Sequence, residues 1–398
     1  MENKYSVYYY LCVISFVIPI ISYIILPGVD VIPSLLKAFF IIFIYKKMQK
    51  LNIVRGIHLD WIGKTLLTLI ALSSFFCLAS ISYDRLSIAL LLTEVFSWSI
   101  LLVSLMVTDI TSVKHFLKAY FVILVVSAVF SGFYWDGFFT YDVPHVLTPL
   151  SLCLLISLYA PFKVRVFIIS ALFAGVLYDY SVRSCLLTVI ATVLIFIGYE
   201  FCPKNLTSRF LGISRKILFI LPFFFLAFAF IFNFNIFEAI ENQDISTGAF
   251  TNGRKSEGHL MNTDSRTLVY VDVINASSNA QNVLLGHGPV IDLESYWMSN
   301  RHSVEAGILN IYLRYGLLGC FLFFLILYKA SFKGMYDSKN HLTQLASVYI
   351  AYKFLLMFMD DPSFEGSLFV ALGICMSSSI RNLTDEEIKN SFNKFKLI

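Results

Sequence analysis

Apolar residues in this chain come in long unbroken runs, separated by short stretches of Pro, Gly and charge, instead of alternating or recurring on one face. The runs lie near 7 to 26, 31 to 45, 61 to 81, 86 to 107, 116 to 131, 146 to 160, 164 to 179, 183 to 201, 217 to 235, 303 to 328, 342 to 359 and 366 to 380. A helix that crosses a bilayer needs roughly 20 mainly apolar residues, so the pattern predicts an all-α integral membrane protein with about 12 spans. Several runs are short or share a boundary, which leaves 11 as the neighbouring count. The first run is followed by more of the same and carries no small-residue cleavage pattern, so it reads as a retained helix and not as a removable signal peptide.

The polar breaks fall into two sets. Lys46, Lys47, Lys50 and Arg55, then Lys114, Lys163 and Arg165, then Lys204, Arg209, Arg215 and Lys216, and finally Lys329, Lys333 and Lys339 occupy every second connection. The connections at 27 to 30, 132 to 145 and 360 to 365 contain neither Lys nor Arg, and 82 to 85 contains only Arg85. Lys and Arg near span ends collect on the cytoplasmic side. Both termini are therefore expected in the cytoplasm, in a multi-pass inner-membrane protein, and the connection from about 236 to 301 is expected on the periplasmic side.

Composition agrees with a bilayer as solvent. Hydrophobic residues make up 58% and charged residues 14% of the 398 positions, and the mean hydropathy is +0.76. With little chain left over for a soluble domain, residues 1–398 read as a single polytopic domain in contact with membrane lipid. The net charge of +4 follows the loops and forms no basic stripe with interleaved aromatics, so no nucleic-acid partner is expected. Seven cysteines lie in or at the ends of apolar runs without paired spacing, which argues against a metal site and for inert packing.

The loop at 236–301 is the one connection large enough to fold over a substrate. Ser246 to Asn262 is rich in Gly, Ser, Thr and Asn. From Asp264 to about Ala280, Leu268, Val271 and Ile274 recur at helical intervals beside Val269, Val273 and Ala276, which predicts a short helix along the interface, capped by Thr263 or Asp264. Leu284-Leu285-Gly286-His287-Gly288-Pro289 then predicts a sharp turn back towards the membrane.

Three residues invite chemistry. Arg183 stands at the outer end of a span, where it either snorkels or pairs with Asp179, or serves a polar substrate. Arg266, at the start of the loop helix, opposes the helix dipole and is either an exposed loop cation or part of an anion site. His302, beside Arg301 at the mouth of the next span, is either structural or a proton acceptor. Asp264, Asp272, His287, Asp292, Glu294 and Glu305 match no metal-ligand spacing, and no Gly-rich phosphate loop precedes a helix, so neither a metal nor another cofactor is expected. Arg314 and Lys353 fall inside spans and should face partners or water.

Ser181-Val182-Arg183, Ser265-Arg266 followed by Leu284-Leu285-Gly286-His287-Gly288, and His302-Ser303 leading into Tyr315-Gly316-Leu317-Leu318-Gly319 resemble the motif pieces of the O-antigen polymerase and ligase superfamily of bacterial membrane glycosyltransferases. The likeness covers residues 181 to 319 in motif and most of the chain in architecture. Ser303 stands in place of the usual Asn, the interval from His302 to Gly316 is long, and Arg314 replaces a frequent acidic residue. These departures favour the more divergent polymerases over ligases. The resemblance implies a GT-C-like fold and a metal-independent transfer of a growing glycan from undecaprenyl pyrophosphate to another lipid-linked repeat unit, as in O-antigen polymerisation. It further implies Arg183 and Arg266 on the pyrophosphate, His302 as the base, Arg301 and His287 as additional substrate contacts, and a chain-length regulator protein as a candidate partner. Transfer of finished glycan to lipid A core, the ligase reaction, is the runner-up. A lipid-linked oligosaccharide flippase is a third reading, disfavoured because the halves show no internal repeat and one loop is large.

Overall fold

The computed structural model describes positions 109–120, 151–178, 183–232, 279–288, 307–358 and 366–393, with scattered single positions elsewhere; the side chains of 174–187 and 225–232 stand outside that description. The described chain is mostly helical and contains no strand. After a helical stretch at 110–120 and another at 151–156 that ends in the tight turn Ser157–Tyr159, the helices are α1 (Phe162–Tyr178), α2 (Arg183–Phe201), α3 (Thr207–Phe232), α4 (Ala280–Leu285), α5 (Gly307–Tyr336), α6 (His341–Leu356), α7 (Gly366–Met376), α8 (Ser378–Arg381) and α9 (Asp385–Asn393). Among the described residues, α5 is long and apolar enough to cross a membrane; the described part of α2 from Thr188 and the part of α7 from Ser367 are apolar but shorter.

The axis of the described fold is α6, which packs against α3, α5 and α7. Its sequence has no polar face, and a helix that is apolar all round must be enclosed. Ala346, Ser347 and Ala351 are buried and lack bulk, so neighbouring backbones come close, while the buried Leu342, Leu345 and Ile350 fill the remaining space. Rings then lock the three helices together: Phe354 of α6 lies 5.1 Å from Phe324 of α5 and 5.4 Å from Phe219 of α3, centroid to centroid. Tilted and edge-on pairs of this kind are each worth about 0.5–1.5 kcal/mol beyond their burial. The surrounding helices turn large apolar side chains outward. Phe162 on α1 is 75% exposed, Leu194 on α2 62% and Ile220 on α3 63%, and Phe321 and Phe332 extend the surface along α5.

One end of the bundle is basic. The Arg165 guanidinium meets the Glu200 carboxylate at 3.1 Å, which ties the start of α1 to the end of α2 and makes the two antiparallel. The start of α3 meets the end of α5 through Arg215, whose side chain is 1% exposed. Its Nε donates to Ser331 Oγ at 2.7 Å and its Nη2 to the Tyr328 carbonyl at 3.3 Å. The rings of Tyr328, Phe219, Phe332 and Tyr336 surround the guanidinium at 4.8, 5.2, 5.7 and 5.9 Å. No carboxylate among the described residues pairs with it. The aromatic faces supply the negative potential that a counter-ion would otherwise provide.

At the same end the chain closes on itself. Asn340 caps α6 by accepting the Thr343 N–H at 2.9 Å, and its amide donates to the carbonyls of Ile380 at 2.8 Å and Leu383 at 2.9 Å, which fixes the turn after α8. Thr384 and Glu387 form a reciprocal capping box that starts α9. This helix buries Ile388 and Phe392. Lys114 donates to the Ser391 carbonyl at 2.6 Å, Tyr159 donates to Asp385 Oδ1 at 2.6 Å, and the other Asp385 oxygen pairs with His341 Nδ1 at 2.5 Å.

The helices run further into charge than the apolar runs predict. Asp109 caps a helix beginning at 110 by accepting the Ser112 N–H at 2.8 Å, so Lys114 is helical and not in a connection. Likewise α3 begins at Thr207 and α5 continues to Tyr336, taking in Arg209, Arg215, Lys329 and Lys333. Lys and Arg are good helix formers whose stems lie along apolar surface, so hydropathy marks the limit of the apolar layer and not the end of the helix.

Burial alone would raise the Asp385 pKa, but hydrogen bonds from the His341 ring, the Tyr159 hydroxyl and the His341 backbone N–H outweigh it and hold the carboxyl below its ordinary value of 3.8. A depressed folded-state pKa contributes stability that is complete above the ordinary value and lost as pH falls through the folded one. Protection of the 385–393 amides, measured as observed exchange relative to the intrinsic rate at each pH, should therefore be high at neutral pH and fall below about pH 4. Asp385→Asn should show faster exchange in α9 at neutral pH; wild-type protection in that variant would remove the clasp from the account.

Candidate functional site

The end of the bundle opposite the basic cluster is built around two glycine turns. Val273 and Ala276 are helical, the chain turns at Ser277, close to the end near Ala280 that the periodicity predicts, and a separate helix not foreseen there, α4, starts at Ala280. The cause is Asn279, whose extended backbone and side-chain oxygen, accepting the Gln281 N–H at 3.1 Å, make it an N-cap. Gly286 then ends α4 with φ of 78°.

Inside α5, Gly316 has φ 65° and ψ −167°, so the helix is broken about two and a half turns after its start at Gly307. In an unbroken helix the carbonyls of Leu313 and Arg314 would pair with N–H groups four residues on. Here the Leu313 carbonyl accepts from the His287 N–H at 2.6 Å and the Arg314 carbonyl from the Gly288 N–H at 3.0 Å. The loop turn supplies the donors for the break. The approach is backbone against backbone: a Cβ on Gly286 would collide with Arg314 and Tyr315, and one on Gly316 with Leu284 and Leu285. Val273 seals the other side by packing on Leu309 and Leu313, with Ala276 and Tyr312 at the edge of the cluster. The Ile308 N–H donates to the Met357 carbonyl at 3.0 Å and fixes the start of α5 to the end of α6.

His287 is half-buried between these pieces. Burial lowers its pKa, and a hydrogen bond with the Ala276 backbone pulls less strongly the other way, so the ring is held below the usual imidazole value and is neutral at pH 7. Its Nε2 is buried, and among the described residues it has no hydrogen-bond partner.

Of the sequence-predicted site residues, His287 alone has its side chain in the described part. Arg183 is the first residue of α2; because α1 and α2 are antiparallel and α2 is about 28 Å long, its backbone lies at the end away from the Arg165–Glu200 pair. Arg266, Arg301 and His302 lie outside the described residues, as do the caps expected at Thr263 and Asp264. Arg314 and Lys353 do have interacting neighbours, as charges inside apolar runs require, and Lys353 is fully buried. Hydropathy hides the break at Gly316, since Leu317 and Leu318 continue the apolar run; the clue is the glycine pair Gly316 and Gly319 inside a helical stretch. Comparison of the chain with protein-family models, with curated proteins and with solved structures finds no match.

The interlock orders three substitutions. Gly286→Ala and Gly316→Ala combine a left-handed φ with a backbone collision and should each cost more than about 1 kcal/mol, whereas Gly288→Ala, with open space around it, should cost less. Thermal unfolding of the detergent-solubilised variants checks the ranking, and equal values for the three would mean the two turns do not meet.

Proposed function

We propose that this chain is a polytopic inner-membrane glycosyltransferase of the O-antigen polymerase type, with about 12 spans and its glycine turns on the periplasmic face. The observation that carries the reading is the pair of hydrogen bonds from His287 and Gly288 to the carbonyls at the α5 break, because it joins two of the three motif pieces that resemble the polymerase and ligase superfamily. That junction lies at the end away from Arg165, Arg215, Lys333, Lys339 and Arg381. Basic residues at one end support a cytoplasmic location for it and an outward location for the junction. The exposed apolar faces of α1, α2, α3 and α5 support a lipid surrounding, since patches of this extent in water promote association.

In this reading a hydroxyl of one lipid-linked repeat attacks the anomeric carbon of a glycan carried on undecaprenyl pyrophosphate. A carbon–oxygen bond forms to the acceptor, the bond to the phosphate oxygen breaks, and undecaprenyl pyrophosphate leaves. Arg183 and Arg266 hold the departing diphosphate through bidentate contacts that a lysine does not reproduce. Arg301 adds charge at the same mouth. His302 takes the hydroxyl proton, a role typically worth about 10² to 10⁴ in rate. A single displacement inverts the anomeric centre.

Alanine at Arg183, Arg266 or His302 should each leave surface glycan one repeat long at wild-type protein levels, read by gel analysis of lipopolysaccharide in a strain deleted for the chromosomal copy. An unaltered ladder of chain lengths from a variant that is expressed normally would remove that residue from the mechanism.

A further inference from the structure

The seam between α3 and α5 at the basic end presents a surface that the glycan-transfer chemistry does not use. Phe219 and Phe223 of α3 meet Tyr328 and Phe324 of α5 at 5.5 and 5.9 Å, centroid to centroid. Nearer the end of the bundle the contact passes to Gly212, where a Cβ would stand 3.9 Å from Tyr336 Oη and 4.0 Å from Met335 Sδ, touching both without collision. The Tyr336 hydroxyl therefore lies against α3 at Gly212. Arg209 and Lys216 come three residues before and four after Gly212, positions that share its side of the helix, and both are exposed. Ile220 and Phe223 continue that side towards the middle of the bundle, while Tyr328, Phe332 and Tyr336, four apart, line the α5 edge; all five are exposed. Positive charge at the end of the seam thus gives way to apolar surface deeper in. The nearby carboxylates are engaged elsewhere: Glu200 pairs with Arg165, Asp337 with Arg381 and Asp385 with His341. Arg215, behind the rings of Phe332 and Tyr336, adds a charge that no carboxylate among the described residues neutralises.

An occupant that matches both parts carries an anion at one end and hydrocarbon at the other. A free anion leaves Ile220, Phe223 and the rings uncovered, and an acidic peptide brings backbone polar groups that an apolar layer does not satisfy. A phospholipid fits along the whole seam. Arg209 and Lys216 are about 10 Å apart along the helix, and the long lysine stem shortens that interval by reaching towards the headgroups. Resting on the membrane part of the proposed function and not on its transfer chemistry, we infer that the α3–α5 seam binds an anionic glycerophospholipid of the cytoplasmic leaflet. Arg209, Lys216 and the Tyr336 hydroxyl hold its phosphate, and its acyl chains lie along Ile220, Phe223 and Phe332. A zwitterionic headgroup brings a cation of its own against Arg209, Lys216 and the field of Arg215, so the seam selects lipids of net negative charge.

The test titrates the full-length protein in detergent with dioleoyl phosphatidylglycerol or dioleoyl phosphatidylcholine and counts bound lipid by native mass spectrometry. Wild type should bind phosphatidylglycerol at least about tenfold more tightly than phosphatidylcholine, since each cation near a lipid surface contributes roughly a fivefold factor. Arg209→Gln/Lys216→Gln should lose most of that preference while unfolding at the wild-type temperature when no lipid is added. Tyr336→Phe keeps the ring beside Arg215 and should lose part of the preference. Lys163→Gln/Lys389→Gln removes the same charge from exposed positions on α1 and α9 and should bind as wild type. Equal binding of the two lipids by wild type overturns the inference and leaves the membrane reading standing. An equal loss in Lys163→Gln/Lys389→Gln overturns it too, by reducing the effect to net charge. So does displacement of phosphatidylglycerol by an excess of inorganic phosphate, which would make the cations a site for a free anion. A lower unfolding temperature of Arg209→Gln/Lys216→Gln without added lipid also counts against it, by giving those side chains a part in the fold. If the protein stays monodisperse in water without detergent, the membrane reading fails and this inference fails with it.

Discussion

A backbone carbonyl that leaves a helix in an apolar surrounding must find another donor, because no water is there to supply one. That constraint organises the described fold. The break of α5 at Gly316 leaves the carbonyls of Leu313 and Arg314 facing the loop, and the N–H groups of His287 and Gly288 meet them. The exchange makes a long loop and a long helix into one unit, and it needs glycine on both sides, since Gly286 and Gly316 each sit where a side chain would strike the other strand of backbone.

The two ends of the bundle solve different problems. At the basic end the difficulty is charge next to apolar surface, and the solutions are aromatic rings around Arg215, a capping asparagine that also staples the turn after α8, and a carboxylate shared between His341 and Tyr159. These contacts hold helix ends together at fixed positions. At the opposite end, among the described residues, the glycine turns meet through the His287 and Gly288 N–H groups, and the buried His287 Nε2 has no hydrogen-bond partner.

Much of this was legible in the residues. The apolar run at 183 to 201 coincides with α2, and those at 342 to 359 and 366 to 380 foreshadow α6 and α7 within a few residues. Those helices are apolar for most of their length, so hydropathy and helicity end together. They part company where Lys and Arg continue a helix beyond the apolar layer, as at Lys114, Arg209 and Lys333. The helix α9 went unforeseen because it is polar on average, although Thr384-Asp385-Glu386-Glu387 is the sequence of a capping box and Ile388 and Phe392 lie four apart. At the candidate site the glycine turn after Leu285 was readable from composition, but its docking on Gly316 was not, since pairing between distant backbones leaves no periodic trace. Residue type at a loop helix and at a span mouth marks Arg266 and His302, and position at a span end marks Arg183, whose backbone α2 carries to the end where the glycine turns meet.

The claim on which the account rests is that the glycine-turn junction faces outward while the basic end faces the cytosol. In a cysteine-free background, Gln281→Cys on α4 and Lys339→Cys at the basic end, both exposed positions, would be treated in intact spheroplasts with a membrane-impermeant maleimide. Rapid labelling at 281, with labelling at 339 only after the membrane is permeabilised, is the result the account predicts; labelling at 339 from outside, or protection of 281 until permeabilisation, would contradict it.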